Sequence, residues 1–382
     1  WYCHTQERIA DIRLLENGNL LYQHGNYQIL REIDWLGSPV RTWYASNLLD
    51  SPEPGAIPVA VDTLHHEVIE MPSGNFLTLA TTLEEFERFP SSELDADAPS
   101  MPARVVCDEI IEFRPTDGFI VHRFPLKRVL DNERIGYMSL GNFWRDKYDK
   151  VGGLLPSRDW SHANGLVYDA DDESVIVSVR HLDCLLKLDW PTGKLRWILG
   201  EPEGWGESWQ PYLLKPQGEF AWFYHQHSPQ LTEQGLLLYD NGNYRARPYA
   251  ERTPAEKNAT RVVEYVIDDS GGTVRQRFVL DRFAGKRVYC PFYGAAEWID
   301  AGRRLLVTHG GHIEREDGSP MDQVPGERQW AEIIEWDVSE SKIVWRATLD
   351  SGLRSRYGWS VYRSLRLRGL PLPSMRQPAT SR

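Results

Sequence analysis

A hairpin pattern that recurs five times constrains the fold of this 382-residue chain more than any other feature. In each copy, a polar turn separates two short runs of alternating apolar residues, which is typical of two antiparallel strands. The first pairs of strands fall at residues 11–22, 68–79, 165–179, 229–239 and 297–307. A second pair follows each of them, at residues 29–43, 110–121, 185–197, 262–278 and 333–345. Repeated units of four strands predict a β-propeller, in which radial repetition removes free sheet edges.

A sixth copy begins at residues 362–370 and then stops. The strand that it lacks can come from the other end of the chain, where Trp1 and Tyr2 precede the first full copy. We therefore predict an all-β, six-bladed β-propeller, a single domain over residues 1–370, with the ring closed by strands from both chain ends. Loop insertions are expected near residues 81–103, 202–219, 244–258 and 313–329, and a disordered tail at residues 371–382.

Charge and cysteine spacing exclude several classes of function. Lys plus Arg total 43 and Asp plus Glu total 55, a net charge of −12, which argues against a nucleic-acid partner. No apolar run approaches the roughly 20 residues of a membrane helix. The four cysteines are far apart and form no Cys-x-x-Cys motif, which argues against a zinc knuckle or a dithiol redox site. An anionic substrate would need a local positive pocket in this acidic chain.

Histidines concentrate at one predicted rim of the propeller. The first strand of each copy should be innermost, so the residue before it and the residue after the second strand should face the same mouth. His162 and Arg180 flank the two ends of the hairpin at residues 165–179, so this geometry makes them neighbours. The rim positions and their immediate neighbours hold His65, His66, His162, His225, His227, Arg180, Asn241 and His309.

Three interpretations of this cluster compete. Clustered imidazoles can bind a metal ion, but Arg180 at the same place would repel a cation, so we predict no metal site. Histidines at strand starts can also be structural, hydrogen-bonding to backbone groups and to each other. The third interpretation, which we favour, is anion chemistry. A neutral imidazole attacks sulfur or phosphorus while other imidazoles and the guanidinium bind the oxygens.

Several motifs, in order, resemble those of bacterial arylsulfate sulfotransferases, the family that needs no nucleotide sulfate donor. They are His-His-Glu at residues 65–67 with Pro-Ser-Gly-Asn at 72–75, Asp-Trp-Ser-His-Ala-Asn at 159–164, Ser-Val-Arg-His at 178–181, Trp-Ile-Leu-Gly at 197–200, Gln-His at 226–227 and Tyr-Asp-Asn-Gly at 239–242. The resemblance covers about residues 11–368 and is strongest over residues 159–243. It implies a six-bladed propeller.

The resemblance also implies roles for individual residues. The transiently sulfated histidine of the family maps to His227, and its other catalytic residues map to His162, Arg180 and one of the pair His65–His66. We choose His66, because its position relative to the following strand matches that of His162 and His227. Asn164 is implied to help bind the sulfuryl group, and we add His65, His225, Asn241 and His309 as candidate substrate-binding residues.

The activity implied is sulfuryl transfer from an aryl sulfate donor to a phenolic acceptor, by a ping-pong mechanism through sulfohistidine. No cofactor, nucleic acid or membrane span is expected. The resemblance implies a periplasmic or secreted protein and a possible homodimer, and residues 1–8 contain no signal-peptide apolar region. Two alternatives stay open: a sulfate-ester hydrolase that uses the same site, and a propeller that binds a ligand without catalysis.

Overall fold

Five twisted sheets arranged in chain order make up the protein. The computed structural model describes residues 5, 8–149, 156–300, 302–323, 326, 328–352, 358–367 and 369. Every sheet contains at least four strands. The innermost strand of each sheet is the one predicted to come first in its repeat. This is a β-propeller, as the recurring hairpins predicted.

The first three blades contain the following strands. Blade 1 is built from β1 (Ile9–Leu14), β2 (Leu20–His24), β3 (Ile29–Ile33), β4 (Pro39–Ala45) and β5 (Ile57–Val59). Blade 2 is built from β6 (His65–Glu70), β7 (Phe76–Phe89), β8 (Met101–Phe113), β9 (Ile120–Pro125) and β10 (Ser157–Asp159). Blade 3 is built from β11 (Ala163–Asp169), β12 (Ser174–Val179), β13 (Cys184–Asp189) and β14 (Leu195–Gly200).

The remaining two blades contain the following strands. Blade 4 is built from β15 (Lys215–Gln217), β16 (His227–Thr232), β17 (Gly235–Asp240), β18 (Arg261–Asp268) and β19 (Thr273–Leu280). Blade 5 is built from β20 (Ala295–Ile299), β21 (Arg304–Glu314), β22 (Arg328–Asp337) and β23 (Lys342–Leu349). The described helices are the single-turn α1 (Arg145–Tyr148) and three 3-10 turns at Leu126–Arg128, Gln210–Tyr212 and Ala255–Lys257. Among the described residues, no helix has the length and apolar character needed to cross a membrane.

The prediction of six blades is wrong, because the described chain forms five sheets. The run at residues 362–370 looks like half of a hairpin in sequence, but residues 361–367 form no strand. Instead, residues 358–367, the closing segment, make isolated hydrogen bonds to blade 5, such as Val361 N to Gly310 O at 2.9 Å. The proposed strand partners Trp1 and Tyr2 lie outside the described residues, as does the tail at residues 371–382.

Consecutive blades are joined by apolar packing, whereas the closing segment is held by charges and hydrogen bonds. The four largest apolar clusters lie between blades 1 and 2, 2 and 3, 3 and 4, and 4 and 5. In the closing segment, Arg363 forms ion pairs of 2.7 Å with both Asp11 of β1 and Glu67 of β6. The preceding Tyr362 is buried and donates its hydroxyl to Asn164 O of β11 at 3.0 Å.

The insertion near residues 81–103 continues β7 and β8 as a long hairpin rather than a loop, so that residues 91–94 reach the mouth of the propeller. The insertion near residues 202–219 contains a 3-10 turn and the edge strand β15. The insertion near residues 313–329 includes the end of β21 and the start of β22.

Irregular backbone marks the mouth end of the innermost strands. The ladders of β6, β11 and β16 with their partners are each interrupted by a bulge at their first residues. His66, His162 and Ser228 there have left-handed φ angles of 58°, 48° and 49°, and Tyr293, just before β20, has 57°. A bulge turns a side chain away from the regular alternation of a strand, and here it directs several side chains toward the propeller axis.

Candidate active site

One cavity of about 870 Å³ opens at this mouth of the propeller. It is lined by four residues that the sequence placed at the rim, namely His66, His162, Arg180 and His227. They come from three consecutive blades, and the backbone Arg180 N–H donates to His162 O at 3.2 Å, as the hairpin geometry predicted. The volume lies within the ~300–1,000 Å³ typical of sites for small molecules.

Arg180 is a buried cation at the wall of the cavity. Arg180 is only 5% exposed to solvent. Its guanidinium donates at 3.6 Å to Met138 Sδ and at 3.4 Å to Pro291 O, both weak interactions, and it forms no ion pair with any described carboxylate. Because an unpaired buried charge is costly, this arrangement favours an anion in the cavity as the missing partner.

His227 has a fixed tautomer. The Asn241 amide donates from Nδ2 to Cys290 O and Tyr293 O, each at 2.8 Å, which orients its oxygen toward His227. That oxygen lies 2.7 Å from His227 Nδ1 and can only accept a hydrogen bond, so Nδ1 carries the proton. The unprotonated Nε2 is therefore the nitrogen with a lone pair for chemistry.

His162 is held from behind by a carboxylate. Its Nδ1 donates to Asp159 Oδ2 at 2.6 Å, and its ring stacks on that of His181 with 4.5 Å between centroids. His181 donates from Nδ1 to the backbone oxygen of Asp159 at 2.7 Å. Ligand atoms of these three residues lie within 4.8 Å of one another, close enough for a metal ion. The nearby positive charge of Arg180 opposes a cation there, and the hydrogen bonds between the three already use several of their polar atoms.

Burial keeps the imidazoles at the cavity neutral. It is the main cause that lowers the pKa of His66, His162, His181 and His227 well below 6.5, and the positive charge of Arg180 lowers each of them further. Neutral imidazoles are nucleophiles and hydrogen-bonding groups at physiological pH, whereas imidazolium ions are not nucleophilic.

Five residues that the sequence analysis assigned to substrate binding lie behind the cavity wall and do not line it. Asn164 donates to Gln226 O at 2.7 Å, and Asn241 holds His227 as described above. His65, His225 and His309 are fully buried and hydrogen-bond to His66, the Tyr137 carbonyl and the Tyr239 hydroxyl, respectively. Of the five, Asn241 and His65 hydrogen-bond directly to residues that line the cavity, His227 and His66.

Aromatic side chains also line the cavity at its mouth. Tyr27, Phe143, Tyr244, Phe292 and Tyr293 line the cavity. The ring of Phe143 packs edge-on against His162, with 4.9 Å between centroids. Except for Tyr293, which stands just before β20, these residues belong to loops outside the hairpin pattern, so strand periodicity gave no signal for them. Asp159 and His181 were also missed as site residues, although Asp159 stands three positions before His162, a spacing that could have suggested a partner.

The family model for arylsulfotransferase (ASST) matches residues 1–363. The chain belongs to the arylsulfotransferase family. Two curated relatives are similar, both named arylsulfate sulfotransferase AssT. The protein from Escherichia coli O6:H1 is 26% identical over 317 residues, which cover 73% of this chain and 50% of the relative. The protein from Lelliottia amnigena is 30% identical over 164 residues, which cover 38% of this chain and 27% of the relative. The chain therefore spans at most about half the length of these relatives.

Solved structures with a similar shape are much more distant. A streptogramin B lyase is 10% identical with a TM-score of 0.40, over 92% of this chain and 86% of the lyase. The Cps50 (Swd1) β-propeller domain of Myceliophteria thermophila is 11% identical with a TM-score of 0.37, over 89% of this chain and 72% of that domain. Likeness at this level carries no information about activity.

Proposed function

We propose that this protein transfers a sulfuryl group from an aryl sulfate to a phenolic acceptor, through a covalent intermediate on His227. The observation that carries the proposal is the buried Arg180, which forms no ion pair with any carboxylate that the structure describes and faces the same cavity as three neutral histidines. The name arylsulfate sulfotransferase, given to the curated relatives, supports the same reaction.

Binding uses two parts of the cavity. Arg180, His162 and His66 hold the sulfuryl oxygens, because guanidinium and imidazole N–H groups match an anion with several acceptor oxygens. The aryl ring of the donor lies among the aromatic side chains of the mouth, where stacking and edge-on contacts stabilise it. The burial of Arg180, His162 and His66 strengthens their interactions with the charge that develops as the bond to sulfur breaks.

Covalent transfer occurs in two steps. The Nε2 lone pair of His227 attacks sulfur, the bond from sulfur to the aryl oxygen breaks, and its electron pair leaves with the phenolate, which then takes up a proton. Throughout this step Asn241 Oδ1 accepts a hydrogen bond from His227 Nδ1–H, which helps to stabilise the positive charge of the sulfated ring. A second phenol then loses its proton and attacks sulfur, and His227 leaves as a neutral imidazole.

The test is the mass of the intact protein after brief mixing with 4-nitrophenyl sulfate, without acceptor, and rapid quenching. We expect a gain of one sulfuryl group that maps to the peptide containing His227. A phenolic acceptor added before quenching should remove this group and yield a new aryl sulfate. Release of nitrophenol with no new aryl sulfate in the presence of acceptor would indicate a hydrolase instead. Absence of both mass gain and phenol release would contradict the proposal.

Two further expectations from the family resemblance stay predictions. One is export to the periplasm or secretion, and the other is a homodimer. Cell fractionation of the native producer tests the first, and the mass of the purified protein in solution tests the second.

A further inference from the structure

Sulfuryl transfer, if the proposed function holds, requires a proton source that the cavity imidazoles alone do not supply. The departing phenolate needs a proton in the first step, and the acceptor phenol releases one in the second. Burial and Arg180 lower the pKa of His66, His162 and His227 so far that an imidazolium at this place is a poor reservoir. A neutral route for the proton is therefore required.

A chain of three side chains leads from the cavity into the protein interior behind His66. His66 Nδ1 lies 2.8 Å from His65 Nδ1, so one of these nitrogens donates and the other accepts. On the far side of the His65 ring, Nε2 lies 3.4 Å from Asp108 Oδ1. These two atoms are fully buried, and neither is in a geometrically formed hydrogen bond with another described residue, although the Ala80 backbone also interacts with the His65 imidazole. Two orphaned polar atoms that face each other are well placed to share a proton.

Asp108 is held so that this oxygen points at His65. Its other oxygen, Oδ2, accepts hydrogen bonds from Ser161 Oγ and from the Ala163 backbone N–H, the latter at 2.7 Å. None of the described lysines or arginines forms an ion pair with it.

The charged and titratable neighbours of Asp108 also favour its protonated form. Burial is the main cause that raises its pKa to about 8, and the carboxylates of Asp159 and Glu109 raise it further. The nearby Tyr148 hydroxyl has its own pKa raised by burial and remains neutral. Asp108 can therefore carry a proton at neutral pH, as a carboxyl group in an apolar site does.

We propose that Asp108 and His65 form a proton relay that switches His66 between hydrogen-bond donor and acceptor at the cavity. With Asp108 protonated, its hydroxyl donates to His65 Nε2, His65 Nδ1–H donates to His66 Nδ1, and His66 presents Nε2–H. With Asp108 ionised, every hydrogen bond reverses and His66 presents an Nε2 lone pair. Asp108 and His65 act through His66 and are positioning residues, since neither lines the cavity.

The relay balances both half-reactions. In the first, His66 Nε2–H gives its proton to the leaving phenolate, His66 Nδ1 takes a proton from His65 Nδ1, His65 Nε2 takes one from Asp108, and a carboxylate remains. In the second, the acceptor phenol gives its proton to His66 Nε2, and three transfers in the opposite direction restore the Asp108 carboxyl group. Neither His65 nor His66 becomes an imidazolium at any stage, so the relay itself adds no positive charge beside Arg180.

The test compares two donors whose leaving groups differ in their need for a proton. Phenyl sulfate releases a basic phenolate, whereas 4-nitrophenyl sulfate releases a stabilised one. Asp108→Asn keeps an oxygen for Ser161 and Ala163 but cannot pass on a proton. We expect single-turnover phenol release from phenyl sulfate to slow on the order of 10²-fold and release from 4-nitrophenyl sulfate to slow about tenfold or less. A purely structural role for Asp108 would slow both donors by the same factor.

Glu109→Gln is the matched control. Glu109 is a buried carboxyl one position along the same strand, with its pKa raised by burial to about 7, but it faces Arg123 at 3.5 Å and not His65. It should slow the two donors equally or not at all. His65→Gln, which breaks the relay at its middle, should repeat the pattern of Asp108→Asn.

Each outcome separates the relay from the proposed function. Failure of the wild-type protein to release phenol from either donor would overturn the proposed function and the relay with it. Normal wild-type turnover, with both donors slowed equally by Asp108→Asn, would overturn the relay alone. If neither relay variant folds, the wild-type protein decides: a steep fall in release rate as the leaving group becomes more basic would rule out proton donation to it.

Discussion

His227 and His66 face the same cavity with the same side chain but are backed by different groups. Behind His227 stands the Asn241 amide, which accepts one hydrogen bond and exchanges no proton. Behind His66 stand a second imidazole and then a carboxyl group, which can both give and take a proton. The difference shows how one residue type can supply a fixed nucleophile at one place and a reversible acid and base at another.

The largest effect should come from removing the fixed nucleophile. His227→Asn leaves no lone pair to attack sulfur, so we expect turnover of 4-nitrophenyl sulfate to fall by at least about 10⁴-fold, as when an enzyme loses its nucleophile. Intact-protein mass should show no sulfated species. His122→Asn on the outer strand β9 is the control and should keep full turnover. Normal turnover by His227→Asn would mean that another group is the nucleophile.

Loss of the amide behind His227 should have the next largest effect. Asn241→Ala frees the Nδ1 proton to move to Nε2, which removes the lone pair, and we expect kcat to fall on the order of 10²-fold. The orphaned carbonyls of Cys290 and Tyr293 should also lower stability by about 1–3 kcal/mol. Steady-state kinetics well below the melting temperature measures the first effect. Asn75→Ala, which loses an amide hydrogen bond to Glu112 far from the cavity, is the control. An unchanged kcat would show that the tautomer of His227 does not depend on Asn241.

His162 is intermediate between the two, because a carboxylate stands directly behind it. Burial raises the pKa of Asp159 to about 6, so it is largely ionised at pH 7.5 and holds the His162 Nδ1–H. Asp159→Asn keeps an acceptor oxygen but loses the charge, and we expect kcat/KM for aryl sulfates to fall about tenfold. Kinetics at pH 7.5 provides the measurement. A larger loss than for Asn241→Ala would place the main chemical role on His162 rather than on His227.

The smallest expected effect is the change of the melting temperature with pH. Eight buried histidines have lowered pKa values and stay neutral in the folded protein. In the unfolded chain the same histidines bind protons below pH about 6.5. The free energy of unfolding therefore falls as the pH drops below that value. Asp108 and Asp183, whose pKa values burial raises to about 8, act in the opposite direction, and their contribution is lost as the pH rises through 8. The melting temperature should be highest near pH 6.5–7, roughly where the histidine contribution is complete. Equal melting temperatures at pH 5 and pH 7 would contradict this balance.

The blades could be predicted from the sequence because alternation of apolar residues directly reports a half-buried strand. The five complete hairpin pairs correspond to the five sheets. The same signal misled at residues 362–370, since residues 362–367, which form no strand, have the same local pattern as half of a hairpin. Whether a segment pairs with a neighbouring strand depends on the whole ring of blades and cannot be read from the periodicity of that segment.

Rim positions were predictable for a similar reason. A two-strand hairpin fixes which residues share an end, so His162 and Arg180 could be placed together from spacing alone. Whether a rim residue faces the cavity or its back is decided by bulges and by packing of loops from other blades. Asn241 therefore appeared as a residue that binds substrate, although it lies behind His227, and Phe143 in a distant loop gave no signal.

The closing segment has a consequence for the biosynthesis of the protein. Tyr362 bonds to Asn164, which precedes it by 198 positions, and its ring lies 6.3 Å from that of His66 and 6.4 Å from that of His227. A nascent chain that has emerged from the ribosome only as far as blade 5 contains every histidine of the cavity. It does not yet contain Tyr362, which lies near His66 and His227. Synthesis proceeds from the N-terminus, so the segment around residue 362 can dock beside His66 and His227 only after all five blades have been synthesised.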